Sequence, residues 1–98
     1  MKLFPFFRFT IHGNSMLPSL KPGQDVVVFN WAYIFSEPKI RDIVVINHQG
    51  RQIIKRISRI NNHALWVRGD NEKESTDSSN FGAVEKSNII GKVILSGS

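Results

Sequence analysis

The sequence predicts a mainly β fold, one small domain with little helix, and three observations predict it. Short runs of β-branched residues recur along the chain, bounded by Gly, Pro, Asn or Asp. No stretch keeps a helical period of apolar residues over a convincing length. The 98 residues, 41% of them hydrophobic, suffice for one modest core and not two.

The elements follow in order. The opening MKLFPFFRFT sets a lysine before aromatics, as a secretory signal does, but Pro5 and Arg8 break the apolar run too early for a signal core. Within it FRFTIH alternates like a strand, so residues 1–10 read as an aromatic-rich first strand or lip. Phe4, Phe6, Phe7 and Phe9 are either core contacts of that strand or an exposed apolar lip that meets membrane or substrate. DVVVF from Asp25 and DIVVI from Asp42 are short β-branched strands. NHQG then reads as a hairpin turn into the long strand RQIIKRISRI, residues 51–60. Asn61 and Asn62 read as a second turn leading to ALWV, and GKVIL is the last strand. RGDNEKESTDSSNFG, residues 68–82, is a polar loop. Its acidic residues lack the spacing and central glycine of a calcium loop, and its RGD triplet is too short to signify a receptor.

Composition excludes several functions. Without cysteine there is no disulfide framework, no thiol nucleophile and no thiolate metal site, which fits a reducing, cytoplasmic location. No window reaches the roughly 18 apolar residues of a bilayer span. The net charge of +5 is spread over Lys21, Lys39, Arg41, Arg51, Lys55, Arg56 and Arg59, as on a solvated basic surface. His12, His48 and His63 lack the spacing of metal ligands, so neither a catalytic metal nor a cofactor is expected.

Two residues carry the candidate chemistry. Ser15 stands in IHGNSMLPSL, at the end of an apolar stretch and ahead of Pro18. A serine there is either a turn residue bonding local backbone or a nucleophile. Lys55 lies in the long strand, where residues two apart share a face, so it sides with Ile53 and Ile57 while Arg56 points away with Ile54. Such a lysine either snorkels to water at a sheet edge or is desolvated, and desolvation favours the neutral amine that a general base requires. A serine activated by lysine is a convergent variant of the hydrolytic triad. Backbone N–H groups at the Ser15 turn would stabilise the oxyanion, and Gly13 leaves room for close approach.

At this point the sequence resembles the signal peptidase I-like serine peptidases. GNSMLPSLKPGQDVVV is similar to their nucleophile box, S-M-x-P-[ST]-L followed by a Gly-Asp strand. IIKRI is similar to their lysine box, and GDNEKESTDSSNFGAV to their third box, G-D-N-x-x-x-S-x-D-S-x-x-[WF]-G-x-V, with NIIGKV following. The boxes occur in family order over most of residues 11–95. The resemblance implies a signal-peptidase-like β-barrel or sheet catalytic core spanning residues 1–98, in which Ser15 attacks the scissile carbonyl and Lys55 takes its proton. It also implies that Ser75 orients the lysine, that Arg56 and Asp70 support the site as a pair, that Met16 packs beneath the nucleophile turn, and that Asp77 and Ser78 match the Asp-Ser pair of the third box. Three positions depart from the pattern: Gly13 replaces an oxyanion-hole serine, Ser79 replaces an arginine, and Gln24 is inserted before Asp25.

Signal peptidases usually carry an N-terminal membrane anchor and a large second β-domain. Here fourteen residues precede Ser15 and the interval from Lys55 to Gly69 is short. That economy resembles the nickel-type superoxide dismutase maturation proteases, which implies a precursor substrate whose short N-terminal leader is removed, with the nickel belonging to the substrate. A membrane-surface leader peptidase, peripheral to the bilayer and touching it through Phe4, Phe6 and Phe7, is the nearest alternative. A self-cleaving repressor needs a DNA-binding region that fourteen residues cannot hold. A Ser-His-Asp hydrolase would need the G-x-S-x-G elbow, which GNSML is not. A non-enzymatic basic β-barrel stacking single-stranded nucleic acid on Trp31, Tyr33, Phe35 and Trp66 leaves the ordered boxes unexplained, so no nucleic-acid partner is expected.

Overall fold

The computed structural model describes residues 5–71 and 83–96. They form one antiparallel sheet of seven strands: β1 (Phe6–Thr10), β2 (Asp25–Phe29), β3 (Ile43–His48), β4 (Arg51–Asn61), β5 (Ala64–Arg68), β6 (Val84–Glu85) and β7 (Ile89–Ser96). Their spatial order is β1-β2-β7-β3-β4-β5-β6, so the last strand enters between β2 and β3. The mainly β expectation holds. What periodicity did not reveal is short: one helical turn, α1 (Ala32–Phe35), a 3-10 turn at Lys86–Asn88, and two-residue β6.

The β3–β4 hairpin closes through Gln49 and Gly50 with φ of 53° and 80°. Positive φ at both central residues matches the twist of the flanking strands. The β4–β5 turn falls one residue later than the Asn61–Asn62 pair suggested: Asn61 stays in the ladder opposite Ala64, and Asn62 and His63 make the turn.

DIVVI reads as an unbroken apolar run because β3 is covered on both faces. Val45 packs into a cluster with Ile11, Met16, Leu20, Val26, Val28 and Ile54. Val44 and Ile46 face a second cluster with Ile57, Val67 and Val84. A strand buried on both sides loses the apolar-polar alternation of a half-exposed one. β7 approaches β2 so closely that a Cβ on Gly91 would lie 2.5 Å from Val28 Cγ1 and 2.8 Å from the Phe29 carbonyl oxygen.

The aromatic start divides between its two readings. Phe7 and Phe9 pack against the first cluster, as strand residues should. Phe6 is about half exposed and stacks on Phe29 with ring centroids 4.9 Å apart. Phe4 lies outside the described residues. The linker after β2 is tied to the sheet through Asp42, which accepts a 2.6 Å hydrogen bond from the Tyr33 hydroxyl and pairs with Lys92 at 3.6 Å. Burial and this carboxylate both push the Tyr33 phenol above its ordinary range.

Candidate active site

The segment between β1 and β2 carries Ser15. Ile11, Met16 and Leu20 are buried in the first cluster and pin the segment at three points. Between these anchors the chain turns tightly: Leu17 N–H donates to the Asn14 carbonyl at 3.1 Å and Leu20 N–H to the Met16 carbonyl at 2.9 Å. Met16, at 1% exposure, does pack beneath the turn. Gly13 has φ +76° and open space around it. Its glycine is required by left-handed backbone, and the open space also leaves the approach clear. The Leu17–Pro18 peptide is cis.

Lys55 stands in the middle of β4, directly opposite Val44 on β3. Opposite residues of an antiparallel pair share a face, so the lysine lies among Val44, Ile53 and Ile57. It is the buried charged residue of the described chain, 4% exposed. The snorkelling alternative therefore fails, because the side chain is covered where it leaves the strand. Ser15 and Lys55 line the same groove of about 420 Å³, together with Phe9, His12, Ile53, Ile54 and the tip of the β3–β4 hairpin.

Arg56, the next residue, forms a clasp. Its Nε donates to Asp70 Oδ1 at 2.9 Å and an η-nitrogen donates to Asp70 Oδ2 at 2.8 Å, a bidentate pair. Its other η-nitrogen donates to the Arg41 carbonyl at 2.9 Å. Ser19, on the nucleophile segment, donates its hydroxyl to Asp70 Oδ2. The Arg56 guanidinium, aided by Ser19, holds the Asp70 carboxyl below the usual carboxylate range, and Asp70 in turn raises Arg56. Asn71 completes the attachment: its N–H donates to the Ser15 carbonyl at 2.8 Å and its side-chain amide to the Asn14 carbonyl at 3.0 Å.

So Ser15, Lys55, Gly13, Met16, Arg56 and Asp70 are brought to one region. Ser75, Asp77 and Ser78 lie outside the described residues. Ser19 and Asn71 are supporting residues that the sequence reading did not single out. The signal that could have found Asn71 was its place in the GDN of the third box. Two of the four aromatic side chains of the nucleic-acid alternative are otherwise engaged, Arg59 lying 4.0 Å over the Trp66 ring and Tyr33 being bound to Asp42, while Phe35 is exposed.

Comparison with known proteins gives the architecture its family. The sequence profile described as Peptidase S24-like matches residues 4–94. The chain belongs to the peptidase S24-like family. As a member of that family of peptidases it is also similar to the mitochondrial ATP-independent inner membrane protease subunit 1a of Arabidopsis thaliana, with 30% identity over 111 aligned residues. The alignment covers 87% of this chain and 66% of that protein, so this peptidase S24-like chain spans just under two thirds of its relative's length. Among the described residues, no helix is long and apolar enough to cross a membrane.

Proposed function

We propose that this chain is a serine endopeptidase that uses Ser15 and Lys55 to remove an N-terminal leader from a precursor protein, with the precursor of nickel-type superoxide dismutase as its substrate. One observation carries the chemistry: in a chain of a peptidase family, a serine on a tightly held turn and a lysine only 4% exposed line a single groove. The substrate rests on the resemblance of the short chain and its third box to the dismutase maturation proteases.

In this mechanism the scissile peptide lies in the groove with its carbonyl carbon at Ser15 Oγ. Serine is a weak nucleophile until a base takes its proton. Lys55 is that base, because burial disfavours the ammonium form and leaves an amine lone pair available. As Oγ bonds to the carbonyl carbon, its proton passes to Lys55 Nζ and the carbonyl oxygen becomes an oxyanion, held by N–H groups of the Ser15 turn. Collapse of the tetrahedral species breaks the C–N bond, and Lys55 returns the proton to the departing amine, the new N-terminus. Water then repeats the sequence on the acyl-enzyme. The clasp of Arg56, Asp70, Ser19 and Asn71 keeps the nucleophile turn fixed to β4, which matters because small displacements of reacting groups are costly.

The test is cleavage of the dismutase precursor by the purified protein, with Ser15→Ala and Lys55→Met as controls and products read by mass spectrometry. A single new N-terminus made by the unmutated protein alone supports both the dyad and the substrate. Cleavage in the Ser15→Ala control removes the serine from the mechanism. A second reading, a leader peptidase acting at a membrane surface, is favoured by the name of the relative, an inner membrane protease subunit, and by the exposure of Phe6. Cleavage of an export leader in detergent or lipid, with the dismutase precursor left intact, selects it.

A further inference from the structure

The linker between β2 and β3 presents large apolar side chains to solvent. Ile34 and Phe35, the second half of α1, are 65% and 74% exposed, and Ile40 further along is 55% exposed. Hydrogen bonds fix this geometry. Ala32 is buried, and the Tyr33 hydroxyl is anchored to Asp42 at 2.6 Å. The Ser36 N–H and hydroxyl both donate to the Ala32 carbonyl, at 3.1 and 3.0 Å. With Ala32 and Tyr33 held inward, a step of about 100° per residue carries the next two side chains outward. Two large apolar neighbours presented together mark an interaction surface, as scattered single residues do not. The charges of the linker sort in the same way. Glu37 pairs with Lys86 at 3.3 Å and Asp42 with Lys92 at 3.6 Å, so both carboxylates are matched within the fold. Lys39 and Arg41, which flank Ile40, are exposed. Residues 34–41 thus offer apolar groups beside cations, with their one carboxylate already paired.

We infer that this linker docks on an anionic lipid surface, with Ile34 and Phe35 entering the boundary between headgroups and acyl chains and Lys39 and Arg41 meeting lipid phosphates. The linker is a different element from the aromatic start of the chain, and its docking does not depend on the groove being a peptide site. Peripheral elements bind a bilayer through buried apolar area together with attraction to anionic lipid, and the linker supplies both. Each Lys or Arg held near such a surface strengthens the attraction, and the net charge of +5 acts in the same direction. A second copy of the chain fits less well. A two-fold contact sets the same patch on both sides, so it would bring a second Lys39 and Arg41 toward the first pair, and the net charge opposes self-association.

The experiment is co-sedimentation of the full chain with vesicles of phosphatidylcholine alone and of an equal mixture with phosphatidylglycerol, at low and high salt. The expected result is binding to the mixed vesicles that weakens as salt rises. Phe35→Ser should reduce the partition coefficient about tenfold, the scale of burying part of one large apolar side chain. Lys39→Gln combined with Arg41→Gln should reduce it on the order of tenfold as well. All three substitutions lie at exposed positions, so the melting transition should stay native-like and is checked first. No binding to the mixed vesicles, equal binding to both kinds, or full binding by either variant would overturn the inference. So would a concentration-dependent dimer that Phe35→Ser abolishes in the absence of vesicle binding, which would assign the face to a second copy. Cleavage is assayed in parallel without lipid. Cleavage without vesicle binding leaves the peptidase standing and removes the docking. Vesicle binding that needs these side chains, without any cleavage, keeps the docking and removes the peptidase.

Discussion

Replacing Asp70 with asparagine should cost about 2–3 kcal/mol of stability at neutral pH, the scale of a hydrogen-bonded interaction to a charged group in a partly covered site. The structure sets the terms. Asp70 Oδ1 and Oδ2 accept from Arg56 at 2.9 and 2.8 Å, and the two side chains are 16% and 32% exposed. Oδ2 also accepts from Ser19. Asparagine keeps one acceptor oxygen and turns a donor toward a donor, so one arm of the clasp is lost and the guanidinium is left without its counter-charge. The effect must depend on pH. The Asp70 carboxyl is held below its ordinary value, so its contribution is present above the unfolded pKa, about 3.9, and is lost as pH falls through the lower folded value. The gap between the original protein and Asp70→Asn should therefore be full at pH 7 and should shrink in strong acid, where Asp70 itself is protonated. Urea unfolding at a series of pH values measures this directly, and at neutral pH the variant should melt about 10 °C lower for a domain of this size. A gap below about 0.5 kcal/mol at pH 7, the level of ordinary surface changes, would refute the clasp, as would one constant down to pH 2.

The other predictions concern the dyad and the packing of β7. Lys55→Met should reduce turnover about a thousandfold, the range of a general base, while the circular dichroism spectrum and the melting transition stay native-like, since methionine fills much the same buried volume. Turnover of the original protein should rise with pH through the lysine titration, because only the neutral amine accepts the serine proton; a profile governed by a histidine and abolished by replacing it would contradict that. Gly91→Ala should destabilise by about 1–3 kcal/mol, the usual cost of overpacking, because the new Cβ meets Val28 at 2.5 Å and the Phe29 carbonyl oxygen at 2.8 Å. Chemical denaturation reads that cost, and an unchanged midpoint would mean that β7 can move away from β2.

The strands were legible because β-branched residues and turn formers are local signals, and DVVVF coincides with β2 residue for residue. The four residues of α1 and the two of β6 are shorter than any period that would betray them. For Lys55, alternation gave the company of Ile53 and Ile57, but coverage comes from neighbours such as Val44, which only the β3–β4 register supplies. Ser19 and Asn71 stayed hidden for a related reason. Each is an ordinary turn-forming residue, and what distinguishes it is a partner 51 or 57 positions away in the chain. Gly13 was noticed for its small size, whereas the backbone shows that its positive φ is the stronger demand.

Lys55 and Arg56 are consecutive, yet the pleat turns one toward the groove and the other toward the Asp70 clasp. A strand that slipped by a single residue would exchange them: a permanently charged guanidinium would enter the covered position, and the shorter-reaching ammonium would face Asp70 without a fork to grip it. No misaligned sheet can thus keep half of the arrangement. The irregularity between Ile57 and Arg59, where the pairing with β5 shifts, lies beyond both residues. Added or missing length can be absorbed there, downstream, while the two adjacent side chains keep time with β3. Alignment of this one strand acts as a checkpoint, since a chain that pairs β4 correctly acquires its candidate base and the tether of its candidate nucleophile in the same event.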